Sequence, residues 1–261
     1  MIDCYVINLD RSRDRYERFM NSFCLSGLNI IRVSGVDGQQ IELPHPDYDE
    51  RRYRLYHGKK INKGEIGCYF SHMKALRMFL ESDAERALIC EDDITAKPEL
   101  RETLEEAAIY REHWDLLRVN SLHAPTHVPI KKLKNGKLVI PVYWTGGTGA
   151  YLVNRKAAER IVTLLLPMYL PYDHALDQVW KLGITAMMIH PFPIALNEFS
   201  QQTMIAASHS YKLPFVRRYI LSPMLLYRGL NTCKRWLWQF STVIKCLFFP
   251  IKSFDERRVD T

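Results

Sequence analysis

The sequence predicts an α/β sandwich with a mostly parallel sheet. Short apolar runs alternate with amphipathic stretches of helical spacing over roughly the first 200 residues, the pattern of alternating strands and helices. The chain also opens with an apolar run, an amphipathic stretch and a second apolar run, which is how a βαβ unit begins. With 261 residues and 47% hydrophobic content, it can form one large α/β domain with an appendage.

The first βαβ unit is predicted near the N-terminus. Residues 4–9, CYVINL, have the length and apolar content of a buried strand, and residues 29–38, NIIRVSGVDG, form the second strand. Ser12 is the expected N-cap of the helix between them. The apolar face of that helix is formed by Tyr16, Phe19, Met20 and Phe23.

The middle of the chain continues the alternation after a polar segment. Residues 42–63 are polar and contain prolines, which predicts a long surface loop of the kind that often carries function. An apolar stripe predicts a helix over 64–82. Residues 86–94 are expected to form a strand, 97–114 an amphipathic helix and 115–120 another strand.

The second half adds three strands and two helices. Residues 137–144 predict a strand, and the glycine-rich residues 145–149 predict a turn. A strand leading into a helix is expected over 150–166, a helix over 171–183 and the last apolar strand over 185–195.

The charge distribution separates a tail from the domain. The net charge is +7, and residues 209–261 hold ten Lys/Arg against three Asp/Glu, so residues 1–208 are balanced. We therefore expect a folded domain over 1–208 and a basic, amphipathic helical tail over 209–261. A balanced domain argues against a nucleic-acid binder, whose basic patch would lie on the fold. The tail instead favours an anionic membrane surface.

A helix over residues 224–248 would be amphipathic. At 100° per residue its polar residues fall in one arc and its apolar residues opposite, with Trp238 among the polar ones. An interfacial membrane helix fits this pattern, and packing of the helix on the domain is the alternative. A transmembrane span is not expected, because no stretch near 20 residues is free of charge.

The cysteines and the N-terminus bear on the compartment. None of the six cysteines forms a CxxC pair, so a zinc knuckle is not expected, and scattered, mostly buried thiols indicate a reducing compartment. The N-terminus lacks the basic-then-apolar pattern of a signal peptide. Both observations predict a cytoplasmic protein.

The predicted strand ends carry the candidate chemistry. Ligands of open α/β sheets bind beyond the carboxyl ends of the strands, where residues 8–11 and 37–38 also fall. Glu91, Asp92 and Asp93 follow an apolar strand there, and three adjacent carboxylates repel one another. Carboxylates are hard ligands suited to Mg²⁺ or Mn²⁺, so the cluster predicts a divalent cation.

Several motifs resemble one known family. Together and in this order they are similar to glycosyltransferase family 25 of lipopolysaccharide and lipooligosaccharide biosynthesis, to which collagen galactosyltransferase domains also belong. The resemblance covers residues 1–205 and rests on YVINLDRSRDR, VSGVDG, GEIGCYFSH, ICEDD, GGTGAYLV and PYDHALD.

The resemblance implies a GT-A fold, a UDP-sugar donor and Mn²⁺ or Mg²⁺ held by a DxD-like motif. In this sequence the motif begins with Glu91, and the metal is assigned to Asp93 and Glu91. Asp92, or Glu91, would meet the ribose or a metal-bound water. The donor would be UDP-galactose or UDP-glucose, with galactose preferred on family grounds.

The resemblance also assigns the nucleotide contacts. The matching first-strand motif places Asn8, Arg11 and Arg15 around the uridine and diphosphate, and Asp37 and Gly38 match the second motif.

The glycine-rich turn is not a P-loop, since no GK[ST] follows it. Its glycines, Gly147 among them, would let the backbone approach the donor sugar. His72 is expected to be a structural histidine.

Family 25 enzymes are inverting, which requires a base to take the acceptor hydroxyl's proton. Asp173 and Asp177 are the candidates, four residues apart and so on one helix face. Asp173 matches the family's Pro-x-Asp position and is preferred, although it could instead cap the helix after Pro171. Arg11 or Arg15 could stabilise the leaving charge.

The resemblance predicts transfer of a hexose to a lipid-linked lipooligosaccharide core at the cytoplasmic face of the bacterial inner membrane. Two other functions are open. A metal-dependent phosphohydrolase of the haloacid-dehalogenase type needs Asp-x-Asp after strand one, where this chain has Asn-Leu-Asp-Arg. A non-catalytic membrane-bound sugar-binding protein would not need the intact acid cluster.

Overall fold

An eight-stranded sheet organises the fold. The computed structural model describes residues 2–24, 26–123, 125–197, 211–216, 219, 223–249 and 251. The strands of the main sheet are β1 (Asp3–Asn8), β2 (Asn29–Ser34), β3 (Arg86–Glu91), β5 (Leu116–Arg118), β6 (His127–Leu133), β7 (Gly136–Pro141), β8 (Ala150–Asn154) and β9 (Ala186–His190). A separate antiparallel pair consists of β4 (Ile94–Ala96) and β10 (Ile194–Leu196).

The sheet is mixed, with one dominant strand direction. Its order is β2-β1-β3-β8-β5-β9-β7-β6. Strands β7 and β8 run against their neighbours, so the other six strands share one direction. The prediction of a mostly parallel sheet is confirmed in this sense.

Helices cover both faces of the sheet. They are α1 (Arg13–Phe23), α2 (Glu50–His57), α3 (Lys63–Glu81), α4 (Leu100–Ile109), α5 (Arg155–Leu164), α6 (Tyr172–Leu176), α7 (Val179–Leu182) and α8 (Met224–Phe248). Strand β1 shows how the faces divide, because Cys4 and Val6 pack with α1 and α4 while Tyr5 packs with α3 and α5. The predicted α/β/α sandwich is therefore confirmed.

The structure differs from the sequence predictions in four details. Helix α2 lies inside the predicted loop over 42–63, where its charged sequence shows no wide apolar stripe but Asp49 accepts the Arg52 N–H at 2.9 Å as its N-cap. The helix predicted over 171–183 is broken into α6 and α7, and β6 was not predicted at all. Ser12 stands at the N-cap of α1 but makes no capping hydrogen bond with its side chain.

Helix α8 packs its polar face on the domain, against α2, α7, β6 and β7. Arg235, Gln239 and Thr242 are buried there, and Trp238 Nε1 donates to the Ile184 carbonyl at 3.1 Å. The boundary predicted at residue 208 lies outside the described residues. The large hydrophobic side chains that α8 exposes are Leu225, Leu226, Leu230, Trp236, Leu237, Phe240, Ile244, Leu247 and Phe248.

Candidate active site

The ends of β1, β2 and β3 form one edge of the sheet. The three strands are adjacent and parallel, with Asn8 in register with Ser34, and Ile7 with Glu91. The predicted convergence of their carboxyl ends is therefore confirmed, and the acid cluster lies at that edge.

Asn8 organises this edge from inside the protein. Its side chain is 1% exposed, and its Nδ2 donates to Asp92 Oδ2 at 2.7 Å and to the Ser12 carbonyl at 2.8 Å. Its Oδ1 accepts from Arg32 Nε at 3.0 Å and Nη2 at 2.8 Å. These bonds use the whole amide, so Asn8 positions Asp92, and its expected contact with a nucleotide stays a prediction.

Asp93 is the least satisfied carboxylate of the cluster. Its Oδ1 is buried and has no hydrogen-bond partner among the residues that the structure describes. Its Oδ2 lies 3.5 Å from Arg15 Nη2. Burial and the charges of Glu91 and Asp92 outweigh Arg15 and raise the pKa of Asp93 to about 7.

Asp92 is better compensated. It forms an ion pair with Arg15 and accepts the hydrogen bond from Asn8. Burial nevertheless raises the pKa of Asp92 above its usual value, and the charge of Glu91 adds to the shift. One arginine, 35% exposed, thus serves two carboxylates.

Glu91 points to a histidine that the sequence did not predict as part of the site. Its Oε1 lies 3.3 Å from His72 Nε2 and accepts from Thr148 Oγ1 at 2.9 Å. Burial raises the pKa of Glu91, but His72, Thr148 and Arg15 outweigh it, so the pKa is lowered overall. His72 is itself buried, with its ring stacked on Tyr172 at a centroid distance of 4.2 Å.

Cys68 is a side chain on which the charges of several separate carboxylates act. Solvent reaches it, together with Cys24 and Cys233, which corrects the expectation of mostly buried thiols. Burial by surrounding protein atoms raises the pKa of Cys68 well above its usual value, with contributions from Glu91, Asp173 and Asp93. The charges of these three carboxylates thus act on one accessible side chain. The four-residue spacing of Cys68 and His72 was the sequence signal for this pair.

The turn over 145–149 contacts both Asp173 and Glu91. Gly147 N–H donates to Asp173 Oδ2 at 3.3 Å, and the Glu91 N–H donates to the Gly149 carbonyl at 2.8 Å. Gly147 has a φ of +69°, and a Cβ there would lie 2.7 Å from Leu122 Cγ. Glycine is therefore required for the turn itself.

Asp173 lies in the first turn of α6 with one edge partly exposed. Its Oδ1 accepts from the N–H of His174 at 2.8 Å, while Pro171 occupies the N-cap position. The carboxylate thus satisfies one free N–H of the helix start and also contacts the glycine turn.

Asp177 has a different environment. It is 6% exposed, and its oxygens accept from Arg118 Nη2 at 2.8 Å, Thr145 Oγ1 at 2.7 Å and Thr145 N at 3.1 Å. Arg235 of α8 lies 3.6 Å away. Asp177 is the C-cap of α6, and its N–H donates to the Asp173 carbonyl at 3.1 Å, so the two carboxylates lie one helical turn apart and both contact the turn over 145–149, as expected. The contacts of Asp177 do not fit a base that must reach an acceptor hydroxyl.

The second predicted nucleotide motif forms a folded loop. Arg11 pairs with Asp37 near the surface, and the Gln39 N–H and Arg11 lower the pKa of Asp37. A Cβ on Gly38 would lie 1.8 Å from the Lys63 carbonyl oxygen. Gly38 is therefore needed for close packing on α3, and its expected role beside the donor stays a prediction.

The acid cluster fits a hard divalent cation. A buried carboxylate oxygen without a hydrogen-bond partner among the described residues, beside two further carboxylates, leaves negative charge that a single arginine does not balance. Asp93 and Glu91 could hold Mn²⁺ or Mg²⁺, which take oxygen ligands and keep positions for substrate phosphates.

Comparisons with known proteins agree with the motif order. A family model described as "Glycosyltransferase family 25 (LPS biosynthesis protein)" matches residues 1–176. Procollagen galactosyltransferase 1 of Danio rerio is 23% identical over 234 residues, covering 83% of this chain and 36% of the relative. A glycosyltransferase 25 family member of Aedes aegypti is 24% identical over 230 residues, covering 82% of this chain and 36% of the relative.

The chain therefore spans little more than a third of the length of these relatives. Among solved structures, S. aureus TarS 1-349 superposes with a TM-score of 0.46 at 12% identity, over 98% of this chain and 77% of that one. Because the family model covers well over half of the sequence, this chain belongs to glycosyltransferase family 25.

Proposed function

We propose that this chain is a metal-dependent inverting hexosyltransferase. It moves galactose, or glucose as the alternative, from a UDP-sugar to a hydroxyl of a lipid-linked lipooligosaccharide or lipopolysaccharide core. The observation that carries the proposal is the buried, unpartnered Oδ1 of Asp93 within three consecutive carboxylates. A site with this surplus of negative charge requires a cation, and a diphosphate would complete the coordination shell of that cation.

Asp93 and Glu91 would hold Mn²⁺ or Mg²⁺, and the ion would supply charge stabilisation for the leaving diphosphate. Arg15 is 35% exposed and within reach of Asp92 and Asp93, so it can turn toward the same phosphates. Asn8 keeps Asp92 in place, and Thr148 and His72 keep Glu91 in place.

Asp173 would accept the proton from the acceptor hydroxyl. Its Oδ2 bonds the Gly147 N–H at 3.3 Å, a long bond that leaves the oxygen able to accept a second hydrogen bond. Asp177, enclosed by Arg118 and Arg235, lacks such freedom. The inverting reaction requires one such base on the acceptor side.

The test measures UDP release from UDP-galactose and UDP-glucose with truncated lipooligosaccharide acceptors. We expect acceptor-dependent release that stops in excess EDTA and falls about two to three orders of magnitude in Asp93→Asn, the scale of losing one electrostatic contact to the transition state. The matched control is Asp83→Asn, an exposed carboxylate at the opposite end of β3.

Three outcomes would contradict the proposal. Full activity of Asp93→Asn or in EDTA would remove the metal's role. Acceptor-independent release of phosphate from phosphorylated sugars would favour the phosphohydrolase. Binding of acceptor sugars without any UDP release would favour the non-catalytic sugar-binding protein.

We further infer that α8 places the enzyme on the anionic cytoplasmic face of the bacterial inner membrane. Its outward face is apolar, with Leu237 74% exposed and Phe240 65% exposed. Lys234 and Lys245 are exposed on the same helix, where they can meet anionic headgroups. No helix within the described residues is long and apolar enough to span a bilayer. The exposed apolar face and the exposed lysines support an interfacial helix with its apolar side in the headgroup region.

Deleting the tail would be a poor test, because α8 also packs on the domain and contributes Arg235 to the Asp177 cluster. We instead expect Leu237→Glu combined with Phe240→Glu to weaken cosedimentation with phosphatidylglycerol vesicles at least about tenfold, from lost apolar burial. Ser241→Glu, at an exposed polar position of the same helix, controls for the added charge. Equal sedimentation of all three proteins, or self-association of the wild type without vesicle binding, would contradict the membrane role.

A further inference from the structure

A second group of possible metal ligands lies beside the acid cluster. Among the residues that the structure describes, the Cys68 thiol, the His72 imidazole and the Glu91 carboxylate each place one ligand atom within 4.8 Å of the other two. Cys68 and His72 are four residues apart on α3, on one face, and Glu91 ends the neighbouring strand β3. The fold thus brings a sulfur, a nitrogen and an oxygen ligand to one point.

The spacing needs little change to become a coordination sphere. With metal–ligand bonds near those of zinc sites, ligand atoms of a tetrahedron are roughly 3.5 Å apart. His72 Nε2 and Glu91 Oε1 already lie 3.3 Å apart. The Cys68 sulfur lies no more than 4.8 Å from the other two ligand atoms, so it must move closer by at most about one ångström, which a side-chain rotation on an accessible residue can supply.

The imidazole is held in the orientation that coordination requires. His72 Nδ1 contacts the Tyr151 hydroxyl at 3.0 Å, so Nε2 is the nitrogen that faces Glu91. The ring is also fixed by stacking on Tyr172. A partner on the far nitrogen is what fixes a metal-binding histidine in known sites.

We propose that Cys68, His72 and Glu91 form a binding site for a thiophilic divalent cation of the Zn²⁺ class. A thiolate and an imidazole select such ions over Mg²⁺ and Mn²⁺, which prefer oxygen ligands. Three protein ligands leave a fourth position open to water or substrate, and solvent reaches the site through Cys68.

The site shares Glu91 with the hard-cation site of the acid cluster. A Zn²⁺ ion bound to Cys68, His72 and Glu91 would occupy the Glu91 carboxylate and add positive charge beside the acid cluster. Zn²⁺ should therefore compete with Mn²⁺ and inhibit transfer. The expected competition between Zn²⁺ and Mn²⁺ rests on the proposed metal-dependent transfer, whereas the binding of Zn²⁺ to Cys68, His72 and Glu91 does not.

The first test uses Co²⁺ as a spectroscopic substitute for Zn²⁺ in the full, metal-free chain. We expect the charge-transfer absorption of a Co²⁺–thiolate bond at one equivalent, and its loss on adding Zn²⁺. Cys68→Ser should abolish this absorption and weaken Zn²⁺ binding at least about 100-fold, since changes of outer-shell residues alone cost up to that much. Cys24→Ser, at another accessible cysteine, should retain both. Absence of the band in the wild type, or its persistence in Cys68→Ser, would overturn the proposal.

A second test needs only the wild-type chain, so it is independent of whether a variant folds. Without metal, iodoacetamide labelling followed by peptide mass mapping should modify Cys24 and Cys233, and Cys68 more slowly because its raised pKa leaves less thiolate. One equivalent of Zn²⁺ should slow the labelling of Cys68 at least tenfold and leave the other two unchanged. Equal labelling rates of Cys68 with and without Zn²⁺ would overturn the site.

The competition has its own measurement. We expect Zn²⁺ to release Mn²⁺ from the wild type, seen as the electron paramagnetic resonance signal of free Mn²⁺, and to inhibit transfer. Each protein is compared with its own Zn²⁺-free state, and Cys68→Ser should lose both effects. Zn²⁺ binding at Cys68 without Mn²⁺ release would overturn the competition and leave the site. Absence of transfer by the Zn²⁺-free, Mn²⁺-loaded wild type, with Zn²⁺ binding at Cys68 intact, would instead contradict only the proposed function.

Discussion

Two clusters of buried charge lie on either side of the glycine turn, and they are compensated in opposite ways. Glu91, Asp92 and Asp93 share one partly exposed arginine, Arg15. Asp177 alone is met by two buried arginines and by Thr145. Both clusters contain acidic residues near the same edge of the sheet, and the sequence predicted a functional role for both. Buried carboxylates that their neighbours do not neutralise, as at Glu91–Asp93, indicate a ligand site. A carboxylate fully paired with arginines, as at Asp177, indicates a structural role.

The cluster in which Asp177 is paired with Arg118 and Arg235 should matter most for stability. Asp177→Asn leaves Arg118 and Arg235 buried beside a neutral amide, and breaking a buried ion pair typically costs about 3 kcal/mol or more. We expect the free energy of unfolding, measured in urea, to fall by about that amount. A loss of activity with unchanged stability would mean that Asp177 acts in catalysis and that the contrast between the clusters is wrong.

The partly exposed Asp173 should matter for turnover. Asp173→Asn keeps an oxygen for the Gly147 N–H but removes the base, so kcat should fall about 100-fold. UDP-sugar affinity, measured by calorimetry without acceptor, should change less than about threefold. If Asp177→Asn is inactive yet fully stable while Asp173→Asn keeps its kcat, the base has been assigned to the wrong carboxylate.

The acid cluster of Glu91, Asp92 and Asp93 should make the stability of the metal-free protein depend on pH. The pKa of Asp93 is raised from 3.8 to about 7, so the folded state binds a proton that the unfolded state releases. Stability should therefore fall as pH rises from about 4 to about 7, by on the order of 1–3 kcal/mol. Unfolding in EDTA at several pH values measures the slope, and Asp93→Asn should flatten it. An unchanged slope would show that Asp93 titrates normally.

Arg235 should have the smallest effect of the four. It lies 3.6 Å from Asp177, farther than Arg118 at 2.8 Å, so Arg235→Met removes the weaker partner and keeps the packing of its stem. We expect a loss of unfolding free energy of about 1 kcal/mol, measured in urea. Lys234→Met, on the exposed side of the same helix, should change it by less than about 0.5 kcal/mol. A larger loss for Lys234 would contradict the orientation of α8.

Local pattern was enough to predict the architecture and the position of the acid cluster. Apolar strands, helical stripes and polar strand ends are short-range signals, and the adjacency of parallel strand ends follows from the βαβ order. Helix α2 was not predicted, because its stability depends on a capping aspartate and on two buried side chains, Tyr53 and His57, in an otherwise charged segment.

The roles of individual site residues depended on partners far away in sequence. The sequence predicts Asn8 as a nucleotide ligand but not that Arg32, Asp92 and the Ser12 carbonyl use its amide. His72 was expected to be structural, and its contact with Glu91 across 19 residues is a property of the fold. The orientation of α8 was open for the same reason, because a polar arc gives no sign of whether protein or water covers it.

The orientation of α8 also bears on which hydroxyl of an acceptor is used. A helix of 25 residues is about 37 Å long, so a flat bilayer under its outer face would fix the tilt of the sheet and leave rotation about the membrane normal. The acid cluster would then stand at one height above the lipid. An anchored oligosaccharide could then present only those sugars whose distance from the lipid matches that height. The length of the oligosaccharide would therefore determine which of its sugars receives the hexose.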